Sequence, residues 1–347
     1  MSPVAEAVAP PTNAAAPATT DPWQAWDCFL AERPDAGFMQ SSWWADFRTV
    51  FGFEHFAAIL KHDGVPLGGA VVMKFSREPE SCFYYIPDGP VLPEDPEIAE
   101  AVFHAVMQEI GRRREVEDKT VSHLRIEPRW ERLPPFVSGF RSMPVLGDAY
   151  MEPRNTIYVD LRPLEREMLA RMKPKGRYNI KLAQRHGVTV VEDTSTNGLA
   201  DFLAIYGETA ARQGLKPKSA HYFETLLELG LPQRRAALWF AEHAGVRLAT
   251  AVVVYFGRRA TYLYGGSLTR DRHLMAPYVL HWEIMRAAKA NGFEFYDLWG
   301  VAPPDEPDHP WGKITAFKRR FGGEAVNFVP TLDYVYDDAA YERYRRG

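Results

Sequence analysis

DGVPLGGAVVMKF at residues 63–75 and AGVRLATAVVVYF at residues 244–256 are two versions of one element. Aligned without gaps they agree at seven of thirteen positions: Gly64/Gly245, Val65/Val246, Leu67/Leu248, Ala70/Ala251, Val71/Val252, Val72/Val253 and Phe75/Phe256. Each follows an apolar run, HFAAIL at 55–60 and AALWF at 236–240, so each reads as a strand, a tight turn and a second strand. A third strand follows both, carrying Tyr84 and Tyr85 in the first copy and Tyr262 and Tyr264 in the second.

The match extends outward. Residues 96–115 and 276–291 place apolar side chains at helical spacing (Ile98, Val102, Ala105, Val106 and Ile110 in the first), and each leads into a further strand, HLRIEP at 123–128 and FEFYDLW at 293–299. Helical segments precede each hairpin, at 23–33 and 42–51 and again at 197–213 and 219–229. Helices, three antiparallel strands, a helix and a further strand resemble the N-acetyltransferase-like (GNAT) architecture. The expected fold is α/β (α+β): two tandem GNAT-like domains with mixed, mostly antiparallel sheets flanked by helices. Residues 22–152 form the first domain and 153–324 the second. The closing stretch NFVPTLDYVYDDAAYERY reads as strand then helix, and residues 325–347 return to complete the first domain.

Composition agrees. A chain of 347 residues exceeds one ordinary domain, and its 46% apolar and 25% charged residues are those of globular proteins. Residues 1–21, almost wholly Ala, Pro, Thr, Val and Ser, read as a disordered tail, without the basic start or apolar core of a secretory signal. No uninterrupted apolar span reaches about 20 residues, so no transmembrane segment is expected. Two cysteines, Cys28 and Cys82, exclude a disulfide framework and fit a reducing, cytoplasmic location. The net charge of −4 argues against indiscriminate nucleic-acid coating. Yet residues 171–186 carry six cations (Arg171, Lys173, Lys175, Arg177, Lys181, Arg185) and no acid, and Lys313, Lys318, Arg319 and Arg320 form a second cluster. Pro174 and Gly176 break the first run, so its opening part reads as a loop.

Familiar site motifs are missing. PWGKIT has no glycine at P-loop spacing, because Pro307 stands there; no zinc-protease His pair and no G-x-S-x-G elbow occur. The Q/R-x-x-G-x-G/A turn that binds pyrophosphate in acyl-CoA enzymes is absent after Gly266 and after the first hairpin.

The run MKPKGRYNIKLAQRHGV (172–188) resembles the signature of the Fem (FemABX) family, a Lys-rich turn opening a helix that ends at Gly-Val. Further matches run in family order: FMQSSWWADFR (38–48), IPDGPVL (86–92), LRIEP (124–128), YLYGGS (262–267), FYDLWGV (295–301) and FKRRFGGE (317–324). The resemblance implies an aminoacyltransferase that moves Gly, Ala or Ser from aminoacyl-tRNA to the stem-peptide amine of a peptidoglycan precursor, UDP-MurNAc-pentapeptide or lipid II. It implies no metal or organic cofactor. A lipid-linked acceptor would bring the chain into peripheral contact with the inner membrane face. With no sustained heptad pair, the chain resembles members that lack a coiled-coil arm. An acyl-CoA-dependent N-acyltransferase and a non-catalytic precursor- or tRNA-binding protein are the alternatives.

By motif position, Lys318 corresponds to a lysine near the tRNA acceptor end, beside Phe317; the other reading is a surface lysine on a basic helix. Arg48 and Lys218, with Tyr222, correspond to the groups holding the precursor diphosphate. Lys218 replaces a usual Arg, keeping the charge but losing the bidentate fork. Tyr262 and Tyr264 are candidates for the acceptor cleft, although alternating Tyr on a strand also suits half-buried packing, with one of the two facing the cleft. Glu127 (often Asp in the family) and Asp297 are candidate proton acceptors that also suit structural pairing. Lys173, Lys175, Arg177 and Lys181 resemble a tRNA-contacting face, since phosphate contacts dominate such affinity; a solvated helix face is the alternative.

Overall fold

The computed structural model describes residues 22–143, 152–193, 195–304, 306 and 308–346; the tail expected at 1–21 lies outside them. The described chain forms two compact units, residues 22–154 with 327–346 and residues 155–326. The first contains α1 (Pro22–Glu32), α2 (Ser42–Thr49), β1 (Glu54–His62), β2 (Val65–Glu78), β3 (Ser81–Pro87), α3 (Pro96–Glu115), β4 (Thr120–Glu127) and β5 (Arg141–Ser142). The second contains β6 (Asn155–Asp160), α4 (Glu165–Arg171), α5 (Pro174–Arg185), β7 (Thr189–Asp193), α6 (Leu199–Gln213), α7 (Ala220–Gly230), β8 (Ala236–His243), β9 (Val246–Phe256), β10 (Arg259–Ser267), α8 (Ala276–Ala290), β11 (Phe295–Asp297), α9 (Gly312–Lys318) and β12 (Glu324–Asn327). The chain then returns as β13 (Leu332–Val335) and α10 (Asp338–Arg346).

Both repeated segments are two-residue hairpins. Asp63-Gly64 and Ala244-Gly245 have positive φ at both turn positions (49° and 81°; 49° and 77°), the backbone that matches strand twist. In each unit the third strand runs antiparallel to the second and parallel to the strand that follows the long helix: β3 with β4, and β10 with β11. A parallel pair needs such a crossover, which α3 and α8 supply. The sheet orders are β1-β2-β3-β4-β13-β5 and β12-β6-β11-β10-β9-β8-β7. Each unit therefore has the GNAT-like order of elements.

Side-chain alternation builds the cores. In the second unit Ala237, Trp239 and Ala241 on β8 and Leu248, Ala249, Ala251 and Val253 on β9 pack with Val279, Trp282 and Met285 of α8. The alanines leave room for the bulky face of the helix. In the first unit Val102, Phe103, Val106 and Ile110 of α3 pack with Ala70, Val72, Tyr84 and Leu124. An ion pair fixes the returning strand there. Asp333 lies opposite Arg125 across β13 and β4, and two guanidinium hydrogen bonds of 2.8 Å join them. Tyr341 of α10 donates a third to Asp333, at 2.9 Å. Arg125 and Asp333 are 1% and 0% exposed, so neither charge has water as an alternative partner.

Two expectations need correction. Residues 174–176 are not a loop: Pro174 opens α5 at its first turn, where a missing N–H costs nothing. Gly176 lies inside the same helix, where a Cβ would come within 2.4 Å of the Arg320 carbonyl oxygen, so the close approach rather than a chain break calls for glycine. The returning tail begins at residue 327 rather than 325, since β12 is an edge strand of the second sheet beside β6. Among the described residues, no helix is long and apolar enough to cross a membrane.

Candidate active site

The site grows from a parting of strands in the second unit. β10 and β11 pair only from Arg259/Phe295 to Thr261/Asp297. Beyond that point β10 stays with β9, through Gly265/Ala251 to Ser267/Ala249. The chain after β11 instead follows β6: Leu298 N–H donates to Ile157 O and Val301 N–H to Asn155 O, both at 3.0 Å. Asp297 turns the chain here. Its carboxylate, 1% exposed, accepts from the Trp299 N–H at 2.8 Å and from the Thr156 hydroxyl. Trp299 sits at φ 56°, a strained left-handed position for a non-glycine residue.

The parting frees carbonyls on the β11 side, and Lys318 at the end of α9 answers them. Its ammonium donates to Gly300 O at 2.7 Å and approaches Trp299 O at 3.4 Å. Lys318 is 4% exposed, so the surface-lysine reading fails. Burial pushes its pKa down to about 7, with the Asp297 charge opposing that fall. The ammonium stands 5.6 Å from the centre of the Tyr262 ring.

A cavity of about 420 Å³, lined in part by Tyr262 and Phe317, the neighbours of this lysine, opens between the ends of β9 and β10, the end of α6, the start of α8 and α9. Tyr262, Gly265, Thr250, His281 and Phe317 line its interior, and Arg212, Arg270, Arg272 and Lys313 supply positive charge. Such a volume suits a small organic ligand or the end of a larger one. Gly266 is required here: a Cβ would lie 2.6 Å from the Thr209 hydroxyl and 2.9 Å from Ile205 O. His281 is 2% exposed and its Nδ1 is 2.8 Å from the Tyr296 hydroxyl. Burial and the nearby Lys318 push its pKa down to about 3. Among the described residues, no group of three or more His, Cys, Asp or Glu is placed to hold a metal ion.

The predicted residues separate into clusters. Lys318, Asp297, Tyr262 and Phe317 come together. Tyr264 does not join them, because a register shift between Tyr262 and Tyr264 sends the two rings to opposite faces of the sheet. Tyr262 meets His281 of α8 at 4.6 Å, whereas Tyr264 meets Phe223 of α7 at 5.0 Å. The Tyr264 hydroxyl donates to that of Tyr222 at 3.1 Å, and the exposed Lys218 sits 5.4 Å from the Tyr222 ring centre, so these three form a second cluster.

Arg48 and Glu127 belong to the first unit. The Arg48 guanidinium lies 4.2 Å from the Phe53 ring centre, and its buried Nε has no hydrogen-bond partner among the described residues. Glu127 accepts from the Tyr85 hydroxyl at 2.6 Å, the Glu152 N–H at 3.1 Å and the Thr331 hydroxyl at 2.9 Å, joining β3 and β4 to the segment before β13. On α5, Lys175, Tyr178 and Lys181 are exposed along one face, and Lys173 is exposed at its N-cap. Arg177 instead folds back on the carbonyls of Met172 and Ala170, closing the end of α4.

His281 and Arg212 were not singled out from the sequence. His281 lies in VLHWEIM, an apolar helical stripe in which nothing local distinguishes it from a core histidine.

Comparison with known proteins gives the following. The sequence profile of the FemAB family matches residues 140–242 and 233–346. A UDP-N-acetylmuramoylpentapeptide-lysine N(6)-alanyltransferase of Weissella viridescens is 26% identical over 196 residues, 56% of each chain. A lipid II:glycine glycyltransferase of Staphylococcus saprophyticus is 20% identical over 387 aligned positions, covering 92% of this chain and 93% of the relative. The crystal structure of FemX superposes with a TM-score of 0.84 at 18% identity, covering 94% of this chain and 98% of that one.

Proposed function

Because the chain belongs to the FemAB family, we propose that it transfers an amino acid from aminoacyl-tRNA to the stem-peptide amine of a peptidoglycan precursor, forming a cross-bridge bond. The similar transferases act, by name, on lipid II or on the UDP-linked pentapeptide, and they add glycine or alanine. The observation that carries the reading is the cavity at the strand parting, with its cationic rim and the lysine buried beside it. An aminoacyl ester on a terminal ribose is an activated acyl donor with phosphates close behind. It needs fixed positive charge and orientation, and no metal or organic cofactor. The stretch after β10, LTRDRHLMA at 268–276, contains no glycine for an acyl-CoA pyrophosphate turn.

In this reading Arg270, Arg272 and Lys313 take the phosphates of the tRNA acceptor end, and Phe317 and Tyr262 flank the terminal nucleotide. Lys318, fixed on Gly300 O, supplies positive potential at the reacting ester. Lys173, Lys175 and Lys181 meet phosphates farther along the acceptor arm, with Tyr178 among them, while Arg177 serves the fold. Lys218 and Tyr222 bind the acceptor's diphosphate. Glu127 and Asp297 hold structure, and the acceptor amine releases its proton to the substrate. Use of charged tRNA places the reaction in the cytoplasm.

The test is to incubate purified protein with tRNA charged with radiolabelled Gly, Ala or Ser and with UDP-linked and lipid-linked pentapeptide. Label should pass to one precursor. No transfer in any pairing would overturn the reading and direct attention to acyl-CoA donors.

A further inference from the structure

His281 lies midway along α8 and belongs to none of the recognised motifs. Its ring is packed on three sides, with ring centres of Tyr262, Phe321 and Phe317 at 4.6, 4.8 and 5.4 Å, so its plane is fixed. It nevertheless lines the cavity. The 2.8 Å contact between its Nδ1 and the Tyr296 hydroxyl couples the ring's tautomer to the direction of that hydrogen bond. Tyr296 is fully buried, and among the described residues His281 Nδ1 is the group within hydrogen-bond reach of its hydroxyl, so donation to Nδ1 is the arrangement that satisfies the phenolic hydrogen. Nδ1 is then the acceptor, and a neutral imidazole whose Nδ1 accepts carries its hydrogen on Nε2.

Among the described residues no protein group accepts from Nε2. Protonating the ring would put a second cation in a buried space beside Lys318, and its pKa is accordingly depressed. A ring with a fixed plane, a fixed tautomer and no charge is suited to donate a hydrogen bond, and unsuited to shuttle a proton.

Resting on the aminoacyl-transfer reading, we propose that His281 Nε2–H donates to the carbonyl oxygen of the donor ester and stabilises the oxyanion formed during transfer. The lone pair of the acceptor amine forms a C–N bond at the ester carbon while the C=O π pair moves onto oxygen, where Nε2–H meets it. When the carbonyl re-forms, the bond to the ribose oxygen breaks. That oxygen leaves with the pair and takes the proton given up by the attacking nitrogen, so ester and amine become amide and ribose hydroxyl. His281 keeps its own hydrogen throughout.

The experiment compares wild type, His281→Phe, His281→Gln and Tyr296→Phe in single-turnover transfer from charged tRNA. A parallel measurement is binding of a non-hydrolysable amide-linked aminoacyl-RNA. His281→Phe is expected to lower the transfer rate about 10²-fold, as loss of one oxyanion donor does, with analogue affinity held within about threefold. His281→Gln places an amide N–H near the Nε2 position and should recover about tenfold. Tyr296→Phe should fall between. ¹⁵N spectra of histidine-labelled wild type should show His281 as the Nε2–H tautomer, and this reading stands even where the Phe variant does not fold. A wild type that transfers normally while His281→Phe stays within threefold of it would overturn the proposal. So would equal slowing by Phe and Gln, which marks a packing role, or an Nδ1–H tautomer in the wild type. Absence of transfer by the wild type itself would overturn the aminoacyl-transfer reading instead.

Discussion

Lys318→Met keeps most of the side-chain stem and removes the cation, and the structure sets the size and the pH dependence of the result. Lys318 falls from an ordinary 10.5 to about 7 because burial disfavours its charged form. The folded protein therefore gives up this proton before the unfolded chain does. Between pH 7 and 10.5 the unfolded state binds more protons, so the wild type gains stability as pH rises through that window and is most penalised below it. The gap corresponds to about 4 kcal/mol of destabilisation at pH 7 and about 2 at pH 9. Methionine escapes that penalty but leaves the Gly300 and Trp299 carbonyls without their donor, a loss of about 1–3 kcal/mol. The variant should thus be more stable than wild type at pH 7 by about 1–3 kcal/mol, and that advantage should shrink by about 2 kcal/mol at pH 9. Thermal unfolding of both proteins at the two pH values measures it. The difference in Tm should narrow by about 4–8 °C for a domain of this size, and subtracting the two curves cancels the titration of all other groups. Transfer should fall at least about 10²-fold in the same variant. A difference in Tm that is constant between pH 7 and 9 would refute the assignment of Lys318 as a buried, depressed lysine.

Other consequences are equally direct. Asp333→Asn leaves Arg125 buried without its counter-charge and should cost about 3–5 kcal/mol in urea unfolding, whereas a loss under about 1 kcal/mol would contradict the pairing. Gly266→Ala drives a Cβ towards Thr209 and Ile205, so calorimetry should show a loss of about 1–3 kcal/mol together with weaker tRNA use. Lys175→Glu with Lys181→Glu should raise KM for charged tRNA and flatten its salt dependence, with kcat little changed; an unaltered salt slope would remove α5 from the tRNA surface.

Local pattern was enough for the elements. The repeated hairpins, the helices at 96–115 and 276–290, and the strands ending at Glu127 and Asp297 follow from strand alternation, helical spacing and a Gly in each turn, all properties of neighbouring residues. The fifth strand of the first sheet was also legible, because DYVYDDAAYERY carries its own strand and helix pattern. Family order in the motifs pointed to the second-unit residues that do meet, Lys318, Phe317, Tyr262 and Asp297. Other features needed the assembled protein. A single irregular register step sends Tyr262 and Tyr264 to opposite faces, and residue-by-residue alternation contains no record of it. The partner of Arg125 is 208 residues away, and the carbonyls that bury Lys318 are freed only where β10 leaves β11. His281 is read as a core residue until the surrounding elements open a cavity at its edge. Periodicity is a property of neighbours in sequence, whereas burial, charge state and hydrogen-bond direction belong to neighbours in space.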